Sequence, residues 1–374
     1  MERSDIRITP LLMNKAHPDF IQECTRTLEL CNNLRSFVYL SKAVAIPAIL
    51  PMLQGKEGLR KLRIKARLST TQASMLLKLT NIEELELENA SWEVLGILPR
   101  WMEAIQQTLT SLTISMSTEL NSQVLEMMLK QLPRLQGLHV MCPNISHTEI
   151  LGLTTYTPLL KSLAFTVIEM TQPFDNPWPP PTLAHLRHLA LDVRLYFTAS
   201  PSTPTTLLSV LTTLKAAFVS LTSITLRIQE LTTEAVHALM LKVIEDHATT
   251  LSRLAIIASG VEIHTISVIC QKCFSLELLS MPLPLKEIVA FVNAIASSPT
   301  LNTLVDGNWH VTHGSQPAFN IKKVGVLMQR VPTLTRIIDN KRLWIGERDA
   351  RGQLRVKLER QSVEPRIQWF MPPH

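Results

Sequence analysis

A six-residue pattern, L-x-x-L-x-L, begins twelve times along this chain: at Leu34, Leu59, Ile82, Leu109, Leu135, Leu160, Leu186, Leu221, Leu251, Leu276, Leu301 and Leu334. Successive starts lie 23 to 35 residues apart. One match would carry no information in a leucine-rich chain. Twelve at near-constant spacing specify a repeated structural unit. The clearest copy opens as Leu109-x-x-Leu112-x-Ile114, continues through a helix-like segment to Leu132 and Pro133, and meets the pattern again at Leu135-x-x-Leu138-x-Val140.

Each match reads as a short strand whose apolar residues point inward, beside the equivalent strand of the next unit. A strand followed by a parallel strand needs a crossover, and the intervening segments have helical period. Asn121 can cap a helix carrying Val124, Leu125, Met128, Leu129 and Leu132 on one face. Thr232 or Thr233 can open one with Val236, Leu239, Met240, Val243 and Ile244, and Ser69 or Thr70 one with Ala73, Leu76 and Leu77. A further helix is expected within residues 284–296. Pro133, Pro158, Pro299 and Pro332 fall between helix and strand, where a residue that cannot continue a helix marks the boundary. The expectation is an α/β leucine-rich-repeat solenoid, a horseshoe with parallel inner strands and outer helices. Residues 1–340 form the array, about 12–13 repeats if Ile6-Arg7-Ile8 ends an extra strand.

Residues 341–374 break the repeat. Leu354, Val356 and Leu358 alternate with Arg355 and Lys357, and Asp349-Ala-Arg-Gly352 is a turn signal after Leu343-Trp344-Ile345. This predicts a β-hairpin that caps the end of the sheet, followed by a tail. Three loops lengthen the repeats: residues 172–181 (QPFDNPWPPP, with Trp178), 198–204 (TASPSTP) and 306–317 (DGNWHVTHGSQP, with Trp309).

Apolar content of 46% supports a continuous core, and the start of the sequence shows no secretory h-region. The apolar stretch from Lys42 to Gln54 is too short to span a bilayer and is interrupted by Pro47 and Pro51, so no membrane association is expected. Five cysteines, an odd number, fit a reducing compartment, cytoplasmic or nuclear. The net charge is +6, and the segment from Lys341 carries eight Lys or Arg against four Asp or Glu. A solvated segment explains that surplus, and without aromatic stacking platforms nucleic acid is not the expected partner.

No catalytic residue, metal site or cofactor is expected. The chain has no Gly-rich phosphate loop, H-E-x-x-H or G-x-S-x-G. Cys270-x-x-Cys273 and His310-x-x-His313 have metal-pair spacing, but Cys270 falls on the apolar face of a helix expected over residues 266–274. The informative positions are those between the strand leucines, which alternation places on the concave face. There Lys61, Arg63 and Lys65 confront Glu84, Glu86 and Glu88 of the next repeat. This is either a self-satisfied charge ladder or a bipolar patch that orients a charged partner. Beyond it Ser111, Thr113, Ser115, Gly137, His139, Met141, Ser162, Ala164 and Thr166 predict a shallow open trough, with His139 and His188 as isolated surface histidines. The candidate partner-binding residues are therefore the six charged residues, His139, Trp178 and Trp309.

The segments LELCNNLRSF, LPRWMEAIQQTLTSLTI, LPRLQGLHV, TPLLKSLAF, HLRHLALD and KRLWIGERDARGQLRVKLER resemble the leucine-rich region of fungal F-box proteins, especially those of mushroom-type fungi. The resemblance covers nearly the whole chain; the last segment and the order of the pieces are its specific parts. It implies that the repeats recruit an unknown target protein for an SCF-type (Skp1-cullin-F-box) ubiquitin ligase, with no catalysis of their own. In that family an F-box ahead of the repeats binds a Skp1-type adaptor. Nothing from Met1 to Leu34 fits an F-box, so adaptor binding is expected only with an upstream F-box. The alternative is a stand-alone scaffold or enzyme inhibitor with no ubiquitin-ligase link.

Overall fold

The computed structural model describes residues 4–8, 18–40, 46–65, 67–168, 183–193, 203–217, 219–228, 231–257, 260–307, 319–339, 342–360 and 370. Two compact units divide the chain, Met1–His185 and Leu186–His374. Strand and helix alternate through both, until three successive strands close the second.

The first unit runs β1 (Ser4–Ile8), α1 (Pro18–Leu30), β2 (Leu34–Tyr39), α2 (Ile46–Gln54), β3 (Lys61–Lys65), α3 (Thr70–Leu76) and β4 (Glu84–Glu88). It continues with α4 (Trp92–Ile105), β5 (Ser111–Ser115), α5 (Ser122–Leu129), β6 (Gly137–Met141), α6 (His147–Leu153) and β7 (Ser162–Thr166). Every strand pairs in parallel with its successor, and every helix packs on the next. The expected extra strand at Ile6–Ile8 is present as β1.

The second unit runs β8 (His188–Val193), α7 (Thr203–Ala216), β9 (Ser223–Ile228), α8 (Thr233–His247), β10 (Arg253–Ile257), α9 (Ile263–Lys272) and β11 (Leu278–Met281). Then follow α10 (Ile288–Ile295), β12 (Thr303–Asp306), α11 (Ile321–Arg330), β13 (Arg336–Asp339), β14 (Arg342–Arg348) and β15 (Leu354–Arg360). Pairing is parallel from β8 to β13, then antiparallel through β14 and β15. The hairpin expected from the 354–358 alternation is therefore present. It also lies against α11: Arg348 donates to the main-chain carbonyl of Met328, and Trp344 is buried.

The strand leucines form the core. In the first unit Leu62 and Ile64, Leu85 and Leu87, Leu112 and Ile114, and Leu138 and Val140 are at most 2% exposed. They alternate with the residues of the other face of the sheet, as a period of two requires. The coils are joined by a recurring main-chain device. The carbonyl just before one strand accepts two successive N–H groups of the next coil: Arg60 from Glu83 and Glu84, Glu83 from Thr110 and Ser111, Thr110 from Gln136 and Gly137. That pairing fixes the register in which each strand joins.

Helix starts follow the side chains that can satisfy free N–H groups. Asn121 accepts from the Val124 N–H at 2.9 Å and Thr232 from that of Ala235 at 3.3 Å. Ser69 forms a reciprocal capping box with Gln72. The proline rule is not absolute here, since Pro51 lies inside α2 and Pro99 inside α4. Each removes one N–H from its helix, and the buried faces around them, including Leu50, Leu98 and Trp101, hold the turns in place. Among the described residues, no helix is long and apolar enough to cross a membrane.

Candidate functional site

The face of the first unit's sheet opposite the strand leucines is ordered strand by strand. Register places Lys61 opposite Glu84, Arg63 opposite Glu86 and Lys65 opposite Glu88. All three pairs are closed, with Lys61 Nζ to Glu84 Oε1 at 2.7 Å, Arg63 Nε to Glu86 Oε1 at 2.9 Å and Lys65 Nζ to Glu88 Oε1 at 2.5 Å. Arg63 Nη2 also lies 3.6 Å from Glu88 Oε2. The ladder is not uniform. The Lys61 and Glu84 side chains are 52% and 43% exposed, whereas those of Arg63 and Glu86 are 17% and 16% exposed. The rung at the middle is thus largely withdrawn from water. Desolvation raises the Glu86 carboxyl to about 7, against the opposing pull of Arg63; the Glu88 charge adds to the rise. A carboxyl that changes charge near neutrality sits at the centre of the ladder, and periodicity alone could not reveal it.

Beside the ladder, Glu84, Glu86 and Glu88 face Ser111, Thr113 and Ser115 of β5, which in turn face Gly137, His139 and Met141 of β6. The expected open trough is not open. Thr113, Ser115, His139, Met141, Ser162, Ala164 and Thr166 are all buried. The imidazole supplies part of the cover: His139 Nδ1 lies 2.9 Å from Thr113 Oγ1 and its Nε2 lies 2.9 Å from Ser162 Oγ. His139 is therefore a buried bridge across three strands and not an isolated surface histidine.

The same correction applies to His188 of the second unit. It is buried, with Nδ1 3.0 Å from Ser223 Oγ and Nε2 3.1 Å from the main-chain oxygen of Phe370. A carbonyl only accepts, so Nε2 carries the proton and Nδ1 accepts from the serine hydroxyl. Burial pushes the imidazole down to about 4, and Arg253 adds to that; the bond to Phe370 opposes it. Asp192 stands opposite Arg227 further along the same strand pair.

Two rim residues adopt left-handed backbone, Asn89 (φ 59°) after β4 and Met116 (φ 55°) after β5. Their N–H groups extend the ladder, Asn89 to the Ser115 carbonyl at 2.9 Å and Met116 to that of Met141 at 3.1 Å. Met116 is well exposed, an apolar residue held in a conformation that suits glycine or asparagine. No sequence pattern marks it.

Trp178, Trp309, and the loops that carry them lie outside the described residues, as does the His310 and His313 pair. Cys270 is buried on α9, as its place on an apolar face predicts, and Cys273 just beyond the helix is buried too. Burial pushes their thiols up to about 12 and about 11, which keeps both protonated at neutral pH.

No protein-family model matches this chain, and no curated protein does.

Proposed function

We propose that the chain is a leucine-rich-repeat horseshoe that binds a target protein on its helix-free face, as the substrate-recognition array of an SCF-type ubiquitin ligase acting in the cytoplasm or nucleus. Catalysis would belong to other components. The observation that carries this reading is the charge ladder. Three basic and three acidic residues stand in register, with the exposed Lys61 and Glu84 at one end and a partly dehydrated Arg63–Glu86 pair at the middle. Such a stripe offers a partner two adjacent rows of opposite sign, which fixes orientation more than it adds affinity. The resemblance to fungal F-box proteins supports the ligase setting.

A charge exchange separates recognition from stability. Reversing only Lys61, Arg63 and Lys65 to Glu places six carboxylates together and weakens both folding and target capture. Adding Glu84→Lys, Glu86→Lys and Glu88→Lys restores opposite charges across the strands, and with them stability, but inverts the order of the rows. The recognition reading expects stability to return while target capture stays at least tenfold reduced. Capture that returns with stability would leave the ladder a structural device. Recovery of a Skp1-type adaptor and a cullin with the tagged chain, expressed together with any coding sequence upstream of Met1, supports the ligase setting. Stoichiometric recovery of one enzyme without them would assign a stand-alone inhibitor instead.

A further inference from the structure

Two imidazoles meet between α8 and α9, consecutive helices that pack together in the second unit. The ring centres of His237 on α8 and His264 on α9 lie 5.6 Å apart, with the planes tilted by 36°. His237 is half-buried and His264 exposed. His237 Nδ1 lies 2.7 Å from the Oγ1 of Thr265, which is buried in the first turn of α9. We propose that His237 and His264, with Thr265 orienting His237, form a site for a divalent transition-metal ion such as zinc, which clips one coil to the next. The inference goes beyond the recognition reading and does not depend on it.

Three observations carry it. The first is distance. Zinc sits about 2.0–2.1 Å from an imidazole nitrogen, which puts each ring centre roughly 3.2 Å from the ion. Two rings that share one ion at an angle of roughly 110–120° then have centres about 5.2–5.5 Å apart. The observed 5.6 Å is within easy reach of that span. Because His264 is exposed, its ring is free to turn about its side-chain bonds and aim a lone pair at the ion. The second is orientation. A ligating histidine donates its other ring N–H to a fixed acceptor, which selects the tautomer. The Thr265 hydroxyl can accept from the Nδ1–H of His237, and that leaves the Nε2 lone pair for the metal. The third is charge. The pair lies near the starts of two helices, whose positive ends oppose a cation. Glu234 in the first turn of α8 and Glu262 at the N-cap of α9 bring two carboxylates to the same helix starts and offset that field. Among the described residues no group of three or more His, Cys, Asp or Glu is gathered for a metal, so water or a ligand from a partner completes the coordination. The two histidines form no pair motif in the sequence; only the stacking of coils brings them together.

Isothermal titration of the metal-stripped full chain with zinc chloride tests this. The wild-type chain should show a saturable component of one ion per chain. His264→Ala and His237→Ala should each weaken that component at least tenfold, although the chain's other histidines remain in both. Thr265→Val keeps the shape of the side chain but removes the acceptor, and should weaken the same component about tenfold. Zinc should also raise the melting temperature of the wild-type chain and leave that of His264→Ala unchanged. The exposure of His264 lets this variant keep the fold. No zinc binding by the wild-type chain, or binding that any one of the three variants leaves unchanged, overturns the proposal. So does a melting shift of equal size in wild type and His264→Ala. The charge-exchange test on β3 and β4 involves none of these residues, so the two readings fail separately.

Discussion

Glu86 carries the sharpest consequence at the scale of single residues. Its folded carboxyl titrates at about 7, above the ordinary 4.5. A carboxyl raised in this way binds more protons when folded, so its contribution to stability is fully present below the unfolded value and is lost as pH rises through 7. Glu86→Gln should therefore melt like wild type near pH 4.5 and become more stable than it by about 1–3 kcal/mol at pH 8. Thermal unfolding at a series of pH values reads this directly, and a difference independent of pH would refute it. His139 offers a second case. His139→Ala removes the bridge between Thr113 and Ser162 and leaves a buried void, at a cost of roughly 2–4 kcal/mol in denaturant unfolding. A loss below about 1 kcal/mol would mean that the two hydroxyls find other partners. The charged rows themselves could be read from the sequence because alternation fixes which residues share a face. The dehydration of Glu86 and the burial of both histidines could not, since they depend on what lies beside each residue across the sheet.

At the scale of elements, each L-x-x-L-x-L match falls at a strand. The strands after Leu59, Leu109 and Leu135 start two residues on, at Lys61, Ser111 and Gly137, with the opening leucine buried just ahead. The pattern was legible because the same inward positions recur in every coil. Caps were legible too, as at Asn121. Asn121→Ala should cost about 1 kcal/mol, while Asn121→Asp, which keeps the acceptor, should be nearly neutral. Other details were hidden because they depend on close approach. A methyl group added at Gly307 would meet main-chain atoms of Met281 at 3.0 and 3.2 Å, whereas one at Gly346 would meet the flexible Met328 side chain. Gly307→Ala should lower stability by roughly 1–3 kcal/mol and Gly346→Ala by less; equal losses in chemical denaturation would contradict the distinction. The prolines inside α2 and α4 were equally hidden, because buried packing there outweighs a lost main-chain bond.

At the scale of the whole molecule, strand pairing among the described residues runs between successive strands within each unit. Energetic coupling should be as local. Leu62→Ala in β3 and Leu138→Ala in β6 are three strand spacings apart, about 14 Å, and their losses should add within about 0.5 kcal/mol. Leu112→Ala with Leu138→Ala, on adjacent strands, should depart from additivity. Strong coupling in the distant pair would argue against a stack of nearest-neighbour coils. The same locality governs how the protein is made. Synthesis at roughly 5–20 residues per second delivers one coil of about 25 residues every few seconds, and helices form in about a microsecond. Within each unit, a new strand thus finds its partner already in place. The hydrogen bond between His188 and Phe370 does not follow that schedule. It spans 182 residues and cannot close until residue 370 has emerged. On the ribosome, every chain that has not yet reached residue 370 leaves the Nε2 donor of His188 without this acceptor, so the contact reports how far synthesis has advanced.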